Sequence, residues 1–177
     1  MTDLRDSGNL PNPRISCRNA LGIGGAIWAV AGVAGILGWA IFRLSGIALG
    51  AFEIPFAWYH WAAIGAFVPF MAWSEGLRGF QRRFSPRVAE RAMLIRAAPT
   101  TPRVIFAPFF AAGFFGGSRR EQLGACLGTV AIIALVILFH RLDQPWRGIL
   151  NAGVVTGLAW GVVATLALSA RAWRNAD

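Results

Sequence analysis

The sequence contains no lysine and few of the patterns that carry catalysis. All seventeen basic residues are arginine, which excludes Schiff-base and lysine-general-base chemistry. The two cysteines, Cys17 and Cys126, lie far apart, and without a CxxC pair there is no sign of a thiol-redox motif or a zinc site. A nucleophile triad, an HExxH motif, a lysine-bearing phosphate loop and paired catalytic carboxylates are missing too. The sequence therefore leans away from an enzyme.

Charge is scarce as well. Of the 177 residues, 14% are charged and 56% are hydrophobic, whereas soluble domains carry roughly a quarter charged residues. Long uncharged runs predict an integral membrane protein with no separate soluble domain. In such a protein a net charge of +9 indicates cytoplasmic loops near anionic lipid rather than nucleic-acid binding. The arginine bias and the lack of eukaryotic targeting signals favour a bacterial inner membrane.

The apolar runs predict an all-α fold of four membrane-spanning helices with both termini in the cytoplasm. The first run reaches about 36 Å as a helix. Because it exceeds a signal-peptide core of about 7–15 residues, it is expected to remain as a helix. Pro69 is expected to kink the second span. The spans are placed at about 19–42, 54–74, 122–140 and 148–170, between a polar arm at 1–18 and a tail at 171–177.

A basic cytoplasmic loop is predicted at 75–103, with seven arginines against two glutamates. Within it, Ser85 as N-cap and Pro86 at the first position predict a weakly amphipathic helix at about 86–98. Its narrow apolar stripe comprises Val88, Ala92 and Ile95.

Five arginines of this loop are candidates for holding an anionic phospholipid headgroup or an acidic protein surface. Each arginine near an anionic membrane contributes about 1 kcal/mol of attraction. Enforcement of topology alone would also explain the charge. The candidates are Arg78, Arg82, Arg83, Arg87 and Arg91.

The aromatic stretch 104–117 is predicted to turn back rather than cross. As a helix it would reach about 21 Å, against a hydrocarbon core of about 30 Å. If it turns back, fourteen arginines lie inside and three outside; if it crosses, the split is twelve to five. Both tests favour a re-entrant or interfacial segment on the cytoplasmic side.

Small residues recur every four positions along the fourth span, at Gly153, Gly157 and Gly161, and at Gly124 and Gly128 on the third. Such grooves let helices approach closely. Packing between these helices is the preferred interpretation, and an interface with another subunit is the alternative.

Two histidines, His60 and His140, lie toward the same predicted membrane face. Histidine pairs bind haem or metal, yet both positions are ordinary for a membrane boundary. No cofactor or metal is therefore predicted, and ligation of haem or pigment is retained only as an alternative. The acidic residues also fall at span boundaries, which argues against a proton-coupled pump.

The leading functional hypothesis is a non-catalytic accessory or assembly subunit of a larger bacterial inner-membrane complex. Its expected partners are other membrane subunits and anionic lipid on the cytoplasmic side. One alternative is an oligomeric small-solute transporter or channel. A second is a membrane redox or cofactor protein that uses His60 and His140.

Overall fold

The computed structural model describes the backbone of residues 13–176 and the side chains of residues 19–176, so the side chains of the predicted arm 1–18 lie outside the described residues. Every described element is a helix. The α-helices are α1 (Pro13–Leu49), α2 (Trp58–Met71), α3 (Ser85–Ala97), α4 (Thr101–Ile105), α5 (Ala107–Ala112), α6 (Arg119–His140) and α7 (Trp146–Arg174).

Three of the described helices are long and apolar enough to cross a membrane. They cover Asn19–Glu53, Arg119–His140 and Trp146–Arg174, and they contain the first, third and fourth predicted spans. The predicted second span corresponds to α2, which is about 21 Å long as an α-helix. The second span, at 54–74, and the orientation of the termini remain predictions.

The helix that begins as α2 does not end where the second span was predicted to end. It continues through a π-helical segment (Ala72–Phe84) directly into α3, so residues 58–97 form one uninterrupted helix. Within the predicted loop at 75–103, the helix expected at about 86–98 is present as α3, and residues 75–84 before it are helical as well. Pro86 lacks an amide hydrogen and its ring crowds the carbonyl of Arg82. The wider π turns just before Pro86 are a way to accommodate it.

Three long helical rods define the bundle: α1, the helix 58–97, and α7. At one end Gln144 Nε2 donates to the carbonyl oxygen of Ile47 at 3.1 Å, and Trp146 stacks beside Tyr59. At the other end the guanidinium of Arg96 lies over the Trp173 ring at 4.8 Å. α7 therefore runs parallel to the helix 58–97 and antiparallel to α1. We call the first of these ends the connection end.

The core explains why the basic segment stays helical. Small side chains of α1 pack against α3 and α5, and each member is almost fully buried. The three stripe residues Val88, Ala92 and Ile95 are all completely buried in this cluster. Burying this stripe stabilises a helix that local composition alone would leave in solvent. The other members are Ala26, Ala29, Val33, Ala107, Phe110 and Ala111.

The aromatic stretch 104–117 forms most of the two short helices α4 and α5, which lie along α1. Trp28 Nε1 donates to the carbonyl oxygen of Ile105 at 3.4 Å. The chain then turns through Gly113 and Gly116, whose φ angles of 101° and 76° are readily adopted only by glycine. α6 begins just after this turn.

α6 differs from the other long helices because none of its described residues is buried. A Cβ atom added at Gly124 or Gly128 would meet no atom within 4 Å. The small residues of this helix therefore face open space in the single chain.

Candidate functional site: an arginine face beside the middle of α7

The glycines of α7 lie directly against the helix 58–97. A Cβ at Gly153 would come within 2.5 Å of the Phe67 ring, and one at Gly161 within 2.6 Å of the Phe80 ring. A Cβ at Gly157 would lie 3.0 Å from Cβ of Glu75. The predicted packing glycines thus contact α2 and the π-helical segment, whereas the expectation was a contact with the third-span helix.

Two side-chain hydrogen bonds fix the register between these helices. The hydroxyls of Ser85 and Thr165 lie 2.9 Å apart and are buried. Ser85 was predicted to be an N-cap, but here it lies inside a continuous helix and its hydroxyl bonds to α7. Trp160 Nε1 donates to Gln81 Oε1 at 2.8 Å. Residues 75–85 of the helix 58–97 therefore lie opposite residues 157–165 of α7.

This register sets the position of the π-helical segment along α7. The apolar part of α7, residues 148–170, has its middle at residue 159. Gly157 and Gly161 lie about 3 Å along the axis from that point, and Thr165 lies about 9 Å from it. Residues 75–85, which pack on these positions, therefore lie beside the middle of a helix that is long enough to span a membrane.

Four exposed arginines lie within residues 75–85 or directly after them, and we call them the arginine face. Its members are Arg78, Arg82, Arg83 and Arg87. The Arg78 guanidinium lies over the Trp73 ring at 4.9 Å, and Arg87 Nε donates to the Arg83 carbonyl oxygen at 2.7 Å. None of the four forms an ion pair with a described residue. No carboxylate of residues 19–176 lies within 4 Å of these four guanidinium groups, and the nearby acidic side chains are Glu75, at the level of Gly157, and Glu121, whose pKa is lowered chiefly by its hydrogen bond to the Ser118 amide and in part by Arg91 and Arg87.

Arg91, the fifth predicted headgroup ligand, has different surroundings. It is buried, with 8% of the residue exposed. Its guanidinium donates to the carbonyl oxygen of Phe110 at 2.6 Å and to Glu121 Oε2 at 3.3 Å. Arg91 therefore holds the end of α5 and the start of α6 together, and its donors are used inside the chain.

Glu121 is the residue of this region that sequence reasoning did not single out as a partner. It closes a capping box in which the Ser118 amide donates to Glu121 Oε2 at 2.9 Å and the Glu121 amide donates to Ser118 Oγ at 3.4 Å. The Ser-x-x-Glu spacing at 118–121 signals such a box in the sequence. The pairing with Arg91, 30 residues away, has no local signal.

The two histidines have separate surroundings. His60 is buried, its Nδ1 accepts the Ala57 amide hydrogen at 3.1 Å, and its ring lies 5.1 Å from that of Trp146. His140 is exposed, and its Nδ1 lies 3.0 Å from the Val136 carbonyl oxygen. Among residues 19–176, no three His, Cys, Asp or Glu side chains are grouped so that they could hold a metal ion.

Comparisons with known proteins add no relative. No family model, curated protein or solved structure matches the chain.

Proposed function

We propose that this chain is a non-catalytic accessory or assembly subunit of a larger bacterial inner-membrane complex. The observation that carries the proposal is the arginine face beside the middle of α7. With the middle of α7 at the bilayer centre, Arg78, Arg82 and Arg83 lie within about 9 Å of that centre. The hydrocarbon layer extends about 15 Å to either side of it.

Arginines at this depth need a covering surface. An arginine at the centre of a membrane helix costs about 2.5–3.5 kcal/mol on insertion scales, and such residues face protein or a water-filled cavity. Among residues 19–176, none of the four arginines forms an ion pair with a carboxylate. A partner subunit that presents acidic side chains at the same depth would satisfy them, and this is the kind of partner we propose.

Gentle extraction of the tagged protein from native membranes, followed by mass spectrometry, tests the proposal. We expect a stoichiometric set of membrane partners. The double substitution R82Q/R83Q removes two charges from exposed side chains, so it should release the partners while leaving the isolated fold intact. A protein that runs alone as a monomer would contradict the proposal.

The matched control is R119Q/R120Q. These two arginines are adjacent, exposed and at the first turn of α6, so the change in charge is the same but lies outside the membrane centre. We expect this variant to retain its partners. Equal loss of partners in both variants would mean that general charge, rather than the arginine face, holds the complex together.

A second candidate function is an oligomeric small-solute transporter or channel. It is favoured by the π-helical segment, since π turns occur frequently at functional sites, and by a polar face that several copies would enclose. Such a pore would be lined with arginine and should pass small anions. Purification with copies of itself only, together with chloride flux into liposomes that R82Q/R83Q abolishes, would support this candidate over the first.

A further inference from the structure

A small cavity at the connection end is lined by three aromatic rings and one carboxylate. It has a volume of about 380 Å³ and lies where the chain leaves α1 and enters α2. Three of its walls are aromatic rings. The Phe52 and Phe56 centroids lie 5.2 Å apart, and Trp61 lies 5.3 Å from Phe56 and 6.2 Å from Phe52. The lining residues are Phe52, Glu53, Ile54, Pro55, Phe56 and Trp61.

Glu53 is the only charged residue in this lining. Its side chain is exposed and forms no hydrogen bond or ion pair with a described residue. Phe52 and Trp61 are both more than half exposed, so their ring surfaces are accessible. The cavity therefore combines an uncompensated negative charge with the electron-rich faces of aromatic rings.

This combination selects one class of ligand. A metal ion such as Ca²⁺ takes six to eight oxygen ligands, and the lining offers a single carboxylate. An alkylated ammonium ion makes fewer demands, because its methyl groups contact ring faces and its diffuse charge is attracted both by the rings and by a nearby carboxylate. The apolar side chains of Ile54 and Pro55 provide further surface for the methyl groups.

We infer that this cavity binds an alkylated ammonium group, with Glu53 as its counter-ion and Trp61 and Phe52 as its ring surfaces. The candidate span Asn19–Glu53 ends at the cavity, so the site lies at the level of lipid headgroups. The ammonium group belongs either to a zwitterionic phospholipid headgroup or to a free solute. This inference does not depend on the arginine face, which lies beside the middle of α7 and away from the connection end.

Binding of tetramethylammonium chloride to the detergent-solubilised full chain provides the test. Saturation-transfer NMR on the methyl signal reports the bound fraction. We expect saturable binding in the millimolar range, weakened at least threefold by E53Q and by W61L. Two controls match these changes in chemistry. E75Q removes a carboxylate of the helix 58–97, and W58L removes a tryptophan that is 80% exposed at the same end but does not line the cavity.

The outcomes separate clearly. If the wild type does not bind, if E53Q binds as well as E75Q, or if W61L binds as well as W58L, the site is overturned. A second arm compares nanodiscs of phosphatidylcholine with nanodiscs of phosphatidylglycerol. Loss of tetramethylammonium binding only in phosphatidylcholine identifies the lipid headgroup as the ligand, whereas equal binding in both identifies a free cation. Neither result bears on whether R82Q/R83Q releases partner subunits.

Discussion

Arg87 and Arg91 lie one helical turn apart, yet their side chains have opposite surroundings. Arg87 is exposed on the arginine face, and Arg91 is buried against Phe110 and Glu121. The carbonyl of Phe110 lies near the C-terminal end of α5, where it accepts the Gly113 amide hydrogen at 3.2 Å. Arg91 adds a second donor to this carbonyl at 2.6 Å and pairs with Glu121 of α6 through the same guanidinium.

The difference predicts unequal effects of one substitution at two neighbouring sites. R91Q should lower the free energy of unfolding by about 2 kcal/mol, since charged hydrogen bonds to a buried acceptor are lost. E121Q should cost less than R91Q because that side chain is 39% exposed and its ion pair is screened by solvent. R87Q is the matched control and should leave stability unchanged. Thermal unfolding in one detergent measures all three, and equal stability of R87Q and R91Q would contradict the assignment.

Among the elements, α6 and α7 are both apolar and both carry glycines four residues apart, but they pack differently. The α7 glycines contact Phe67, Glu75 and Phe80, while the space around Gly124 and Gly128 is open. The spacing in the sequence is the same in the two helices. Only the fold distinguishes a glycine that a ring covers from one that faces outward.

Leucine substitutions test this distinction. G161L should destabilise the fold by about 1–3 kcal/mol, since the new side chain collides with the Phe80 ring in a packed interface. G128L makes the same change on α6 and should leave stability equal or slightly higher, because glycine is the poorer helix former. Circular dichroism on heating gives both values. Destabilisation by G128L as large as that by G161L would mean that α6 is packed as tightly as α7.

The sequence was sufficient to locate the long apolar helices, because a run of about 20 uncharged residues is a strong local signal. The predicted spans at 122–140 and 148–170 lie within α6 and α7. The helix predicted at about 86–98 corresponds to α3, whereas the helical course of residues 75–84 was not predictable, since a segment rich in arginine looks like a solvated loop by composition. Glu75 and Phe80 of this stretch contact Gly157 and Gly161 of α7, which are distant in the sequence, and such contacts leave no local pattern.

For the candidate site, the sequence identified the arginines but not their position along α7. Counting arginines identified Arg78, Arg82, Arg83 and Arg87, but the count assumes that charge lies outside the hydrocarbon layer. The position of these arginines along α7 is set by the contacts of Gly157 and Gly161 and by the Ser85–Thr165 hydrogen bond. None of these contacts is local in the sequence. The burial and pairing of Arg91 depend on the turn through Gly113 and Gly116, which places Glu121 next to the Arg91 guanidinium.

At the scale of the whole molecule, the arrangement predicts where each end is exposed. Both termini should lie in the cytoplasm, and residues 141–145 should lie outside, since arginines divide eleven to three in that orientation even without Arg78, Arg82 and Arg83. Single cysteines at D143C and N175C, with Cys17 and Cys126 replaced by serine, report this. A membrane-impermeant maleimide should label D143C in intact cells.

The cysteine at position 175 is expected to be protected in intact cells. N175C should react only after the membrane is permeabilised. Labelling of both positions in intact cells, or of N175C alone, would reverse or rearrange the predicted topology. Wild-type amounts of each variant in the membrane fraction serve as the control for folding.

The bond between Ser85 and Thr165 also has a consequence for how the chain is made. Eighty residues separate the two hydroxyls, and synthesis at roughly 5–20 residues per second takes about 4–16 seconds to cover that distance. During this interval the arginine-bearing helix has left the ribosome while the glycine surface that receives it has yet to be made. Until α7 arrives, Phe80 and Ser85 therefore lack the surface that they contact in the folded chain.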